Sequence, residues 1–143
     1  MPYCKIMIHA IWSTKNRKLL ISKEIKPHLL QHIKENSFKK NIHIDSLNCV
    51  ADHIHLLISL GADQTIAKTI GLIKGESSNW VNKQNFGGVK FEWQEEYIAL
   101  SVSSSIVDKV RIYIARQEEH HKKKTFAEEY DEFIKASGLL LNS

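Results

Sequence analysis

Across "NIHIDSLNCVADHIHLLISL", apolar residues fall on alternate positions at Ile42 and Ile44 and again at Ile54, Leu56, Ile58 and Leu60. A period of two is the signature of a half-buried strand. The pattern fits two adjacent strands turning near Ala51 and Asp52, with Gly61 closing the second. Because strand side chains alternate, the same register sends Ile54, Leu56, Ile58 and Leu60 to one face and His53 and His55 to the other.

The rest of the chain is arranged around this hairpin. Residues 4–13, "CKIMIHAIWS", are rich in apolar and β-branched residues and read as a buried strand. From Ser22, a suitable N-cap, Ile25, Leu29, Leu30 and Ile33 recur at helical spacing until Asn36 and Ser37. Thr65 can cap a second helix carrying Ile66, Ile70, Ile73, Trp80 and Val81, although Gly71 and Gly75 weaken it by about 1 kcal/mol each relative to alanine. After the loop "NKQNFGGVK", the stretch "FEWQEEYIALSVS" holds a short strand and an irregular link, and the pattern is helical again from Ser103 to about Lys123. The tail, "FAEEYDEFIKASGLLLNS", adds a short helix. The order β-α-β-β-α-β is that of an α+β, ferredoxin-like antiparallel sheet with helices on one face, here followed by a C-terminal helix that carries Tyr113.

A length of 143 residues suits a single domain, residues 1–143. The net charge of +4 permits contact with a polyanion without demanding it. Cys4 and Cys49 lie in apolar stretches outside any CxxC pattern, which points to reduced core thiols and not to a disulfide or zinc framework. The start is not that of a signal peptide and no run is long enough to span a bilayer, so a cytoplasmic protein is expected.

His53 and His55 stand roughly 7 Å apart along one strand face, close enough to converge on one ion, yet hydrogen-bonded neighbours satisfy paired histidines equally well. Several chemistries that use such pairs are excluded. A third alternating histidine is replaced by Leu57, a His-x-Thr or His-x-Ser pattern by His55, and a helical His-Glu-x-x-His motif is absent. In "SSIVDKVRIYIARQEEHHKKK", Ile106, Val107, Val110 and Ile114 form an apolar stripe with Gln117 near its middle, Tyr113 on its edge and His121 facing inward. Gln117 can bond a buried backbone group or, as a metal ligand, hold an ion beside the Tyr113 hydroxyl four residues away. Two imidazoles and an amide oxygen leave coordination positions at which Mg²⁺ or Mn²⁺ can grip a phosphate oxygen. Attack by a tyrosine on a phosphodiester conserves the bond energy as a phosphotyrosine ester, which a free hydroxyl can later reverse.

These residues resemble the single-tyrosine HUH transposases of the smallest bacterial insertion sequences, the IS200-like family. The likeness is carried by "IHAIWSTKNR", "CVADHIHLLISL", "WQEEYIALSVSSS" and "VRIYIARQEEHHKKKTFAEEY", in which Tyr113, Gln117, His120 and His121 form the most specific pattern. The resemblance implies a metal-dependent transposase with Tyr113 as nucleophile and His53, His55 and Gln117 as ligands of Mg²⁺ or Mn²⁺. It further implies cleavage and rejoining of single-stranded DNA at element ends through a 5′-phosphotyrosine, recognition of DNA hairpins, and a homodimer. His120 and His121 are candidates for a supporting role around the metal, and Trp12, Lys15, Arg17 and Lys18 are candidates for DNA contact. Two other readings stay open: a non-catalytic hairpin DNA-binding regulator with the same fold, and a metal-dependent phosphodiesterase for small nucleotides.

Overall fold

The computed structural model describes residues 3–84 and 86–136, the side chains of His120 and His121 excepted. Strand β1 spans Ile6–Ser13, helix α1 Ile25–Lys39, strands β2 and β3 His43–Val50 and His53–Leu60, helix α2 Ile66–Lys83 and strand β4 Ile98–Val102. Helices α3 (Val107–Ala115), α4 (Gln117–Lys123) and α5 (Phe126–Ala136) follow. The sheet order is β2-β3-β1-β4 with every neighbouring pair antiparallel, which is the ferredoxin-like arrangement expected from the order of elements. The hairpin turns at Ala51 and Asp52. A bulge between Ile44 and Ser46 absorbs a register shift in β2.

Local signals explain the two long helices. Ser22 Oγ accepts the Ile25 N–H at 3.2 Å, and α1 runs on to Lys39, past Asn36 and Ser37, before Asn41 takes a φ of 60°. Thr65 Oγ1 accepts the Lys68 N–H at 3.2 Å, so the expected cap opens α2, which continues through Gly71 and Gly75. Both helices pack on one face of the sheet, over a core that includes Ala10, Trp12, Ile54, Leu56, Ile58, Leu29, Ile33, Ile70 and Ile73. His32 of α1 meets Glu76 of α2 at 2.6 Å and stacks on Trp80, tying the two helices together.

The second face of the sheet is covered as well. Met7 and Leu57 pack with Val102, Val107 and Ile114, which seats α3, while Ile11 and Ile98 pack with Phe126 of α5. The helical stretch expected from Ser103 to Lys123 is not continuous. A 3-10 turn covers Ser104–Ile106, and Arg116, with φ −100° and ψ 23°, separates α3 from α4. The cause is tertiary: Asn48 of β2 donates its amide to the carbonyls of Ile114 at 2.9 Å and Ala115 at 3.3 Å, two acceptors that a continuing helix would use. No helix among the described residues is long and apolar enough to cross a membrane.

Candidate active site

The site is built on the second face, where β1 and β3 lie side by side. Ser13 pairs with His53, Ile11 with His55 and His9 with Leu57, so His9 is the diagonal neighbour of His55. His53 and His55 have no solvent exposure, and His9 is nearly as buried. Each of the two β3 histidines is held by its Nδ1 atom. His53 Nδ1 donates to Asp52 Oδ1 at 2.8 Å, and His55 Nδ1 shares a 3.0 Å hydrogen bond with His9 Nε2. A ring fixed at Nδ1 presents Nε2 in one direction, which is the usual preparation of a metal-binding imidazole.

Both Nε2 atoms face the carboxylate of Glu129 on α5. His55 Nε2 lies 3.0 Å from Glu129 Oε1 and His53 Nε2 lies 3.3 Å from Glu129 Oε2. The Tyr113 hydroxyl donates to the same Oε1. His53, His55 and Glu129 each offer a ligand atom, and these atoms all lie within 4.8 Å of one another. Tyr113 stands edge-on to His55, with 5.7 Å between ring centroids. Gln117 is fully buried at the start of α4; its amide donates to the Tyr113 carbonyl at 3.3 Å, while its Oε1 accepts no hydrogen bond among the described residues. A buried amide oxygen left without a partner costs free energy unless something else satisfies it.

Electrostatics follow the geometry. Desolvation, helped by the neighbouring His55, pushes the His9 imidazole down to about 3, so it is neutral. Desolvation also acts on His53, but hydrogen bonds to Asp52 and Glu129 outweigh it and raise that imidazole above its ordinary value. For Glu129 burial pulls the other way and is overcome by the two histidines, which hold the carboxyl well below the usual carboxylate range. Burial and then the Glu129 carboxylate raise the Tyr113 phenol above its ordinary value. Neither effect favours the phenolate, so the Tyr113 oxygen becomes a good nucleophile only with help from a nearby cation or base.

The residues singled out in the sequence separate here. His53, His55 and Tyr113 meet around one carboxylate, and Gln117 is anchored to the Tyr113 backbone. The side chains of His120 and His121 lie outside the described residues. Trp12 is buried in the core under α1 and α2, edge to face with Trp93, so its ring is not offered to solvent as a platform for a DNA base. Lys15 and Lys18 are exposed, with Lys15 bridged to Glu92 at 3.2 Å. Arg17 lies over the Phe126 ring, 5.2 Å from its centroid, at a cleft also lined by Ser13, Tyr97, Phe126 and Tyr130.

The structure adds three residues to the site: His9, Asp52 and Glu129. Asp52 reads as a turn residue, although its place just before His53 is a signal. Glu129 sits in an acidic tail, but Phe126, Glu129 and Phe133 fall on one helix face by their spacing of three and four. A carboxylate between two aromatic residues on such a face is the signal that was available. In the structure Phe126 lies 4.5 Å from His53 and Phe133 lies 5.4 Å from His9 between ring centroids.

Comparison with known proteins bears on the family of the whole chain. The family model described as "Transposase IS200 like" matches residues 3–117. The transposase for insertion sequence element IS200 of Salmonella typhimurium is 33% identical over 89 residues, covering 58% of this chain and 57% of that protein. The chain thus spans little more than half the length of that relative. The ISDra2 transposase TnpA of Deinococcus radiodurans is 24% identical over 116 residues, covering 76% of this chain and 81% of that protein. A crystal structure of a putative transposase from Deinococcus radiodurans superposes with a TM-score of 0.63 at 24% identity, over 81% of this chain and 93% of that one. A REP-associated tyrosine transposase bound to a REP hairpin gives the same TM-score at 16% identity, over 85% and 72% of the two chains. Those two structures share the fold. With four-fifths of its length under the family model, this chain belongs to the IS200-like transposase family.

Proposed function

We propose that the protein is a metal-dependent transposase that cleaves and rejoins single-stranded DNA at insertion-sequence ends through a 5′-phosphotyrosine intermediate, recognising DNA hairpins. The observation that carries this reading is the meeting of the Tyr113 hydroxyl with both His53 and His55 around the Glu129 carboxylate, all within one chain. In the forward step the Tyr113 oxygen bonds to phosphorus, the phenol proton leaves, and the bond from phosphorus to the 3′ oxygen breaks. The departing oxygen takes up a proton to become a 3′ hydroxyl. Attack of a 3′ hydroxyl on the phosphotyrosine reverses these bonds and rejoins a strand.

His53, His55 and Gln117 are the residues we assign to a divalent ion, Mg²⁺ or Mn²⁺. The fit rests on two imidazoles fixed through Nδ1 and on the buried Gln117 Oε1, which has no partner among the described residues. An ion bound there supplies the positive charge that favours the phenolate and draws electron density from the phosphorus. Asp52 and His9 orient the imidazoles, and the Gln117 amide pins the turn of backbone that carries Tyr113. Arg17 is the residue we place on the path of the DNA phosphates, with Lys15 and Lys18 beside it. Assembly as a homodimer belongs to the same reading, on the strength of the family resemblance, and light scattering of the purified chain measures it.

The test is covalent trapping. Single-stranded DNA from the flanks of the encoding gene, with its hairpins and a label on the 3′ side, is incubated with protein and Mn²⁺ or Mg²⁺ and resolved under denaturing conditions. Wild type is expected to carry the label and Tyr113→Phe to carry none. Wild type that binds the hairpin without ever becoming linked would replace this reading with that of a hairpin-binding regulator.

A further inference from the structure

We propose that Glu129 is a further protein ligand of the divalent ion and that the same carboxylate positions the Tyr113 hydroxyl beside it. This inference rests on the metal-dependent reading of the site given above. It begins from an anomaly of packing. Glu129 is only 4% exposed, on a helix face whose other members, Phe126 and Phe133, pack against His53 and against His9, His55 and Tyr113. A carboxylate is placed on an apolar face at a large desolvation cost, which only strong partners offset. Its partners are the two Nε2 atoms, at 3.0 and 3.3 Å, and the phenol.

Donor chemistry favours a ligand role over a simple ion pair. Mg²⁺ and Mn²⁺ are hard ions that prefer oxygen ligands, and two imidazoles with one neutral amide bring a single hard oxygen and no negative charge. Glu129 adds a second hard oxygen and the charge. Its reach also matters. A carboxylate has two oxygens with about four acceptor positions, so it can serve a cation and still accept the phenol hydrogen bond. Because Glu129 belongs to α5, and α5 packs on Ile11 and Ile98 through Phe126, the carboxylate is set by the same hydrophobic contacts that seat the helix on the sheet. Glu129 thus acts as a positioning residue for the nucleophile as well as a ligand.

Mn²⁺ binding to the full chain, measured by calorimetry and by the electron paramagnetic resonance signal of free Mn²⁺, tests this directly. Glu129→Gln keeps the shape of the side chain and Glu129→Ala removes it; both are expected to weaken Mn²⁺ binding by about tenfold to a hundredfold. Asp131→Asn, on the exposed side of α5, is expected to bind as wild type. At saturating Mn²⁺, Glu129→Gln is expected to form the covalent DNA adduct at least tenfold more slowly with unchanged hairpin affinity, and circular dichroism checks that the variants are folded. Unchanged or tighter Mn²⁺ binding by both Glu129 variants, alongside lost binding in His53→Ala, overturns the role of Glu129 and leaves the histidine site standing. Equal Mn²⁺ binding by wild type and His53→Ala overturns the metal-site reading itself, and this proposal with it.

Discussion

Strand β3 gives its two faces opposite work. Ile54 and Leu56 on one side and His53 and His55 on the other are equally buried, without exposure to solvent. The first pair joins an apolar core under α1 and α2, where burial of each side chain stabilises the fold by about 1.5–3 kcal/mol. The second pair lies among Asp52, His9 and Glu129, where partners offset the cost of burying polar groups. The first four residues of β3 therefore divide stability from chemistry by the alternation of their side chains, before Leu57 returns the second face to apolar packing against α3. The rigid apolar side fixes where the histidines stand, and the polar side bears the cost of holding ionisable groups out of water.

The comparison breaks if substitutions on the two faces behave alike. Leu56→Ala is expected to have the largest effect on stability, about 2–5 kcal/mol in urea denaturation, with Mn²⁺ affinity of the folded fraction retained. His55→Ala is expected to do the reverse, lowering Mn²⁺ affinity by about a hundredfold or more while the chain still unfolds cooperatively. A finding that His55→Ala simply unfolds the protein would make the second face part of the structural core.

Acid sharpens the contrast further. The His9 pKa is pushed down to about 3 in the folded chain, while an unfolded histidine takes up its proton near pH 6.5. Between those values the unfolded state binds more protons at this position, so His9 lowers the stability of the fold as pH falls from about 6.5 toward 3. His9→Phe is expected to reduce the loss of stability between pH 7 and pH 4.5 by about 1–2 kcal/mol, read from denaturation midpoints at the two pH values. The smallest expected effect belongs to the other face: Thr65→Ala removes the cap of α2 and costs about 1 kcal/mol, with no change in metal affinity.

Particular residues mark how far the sequence could be read. The alternation through Ile54, Leu56 and Ile58 marks a strand whose period of two puts His53 and His55 on one face, and the turn residues Ala51 and Asp52 fit the hairpin the structure shows. The position of Gln117 on the apolar stripe correctly marked it as buried. The break at Arg116 is not legible, since Asn48, which takes the carbonyls at the end of α3, lies 68 residues earlier and meets α3 only through a tertiary contact. Trp12, a candidate for DNA contact by sequence, faces α1 and α2, as its alternation with Ile11 and Ser13 on β1 requires.

Local periodicity, caps and turn residues fix which segments become strands and helices and which side chains share a face, because those depend on neighbours a few residues apart. By that rule the sequence alone determined the sheet, its two helices and the pairing of the β3 histidines. Only the tertiary structure decided that α5 folds back over the second face and brings Glu129 between His53 and His55, with the Tyr113 hydroxyl on the same carboxylate. That meeting depends on packing between segments more than seventy residues apart in the chain, and such contacts leave no periodic trace in the sequence.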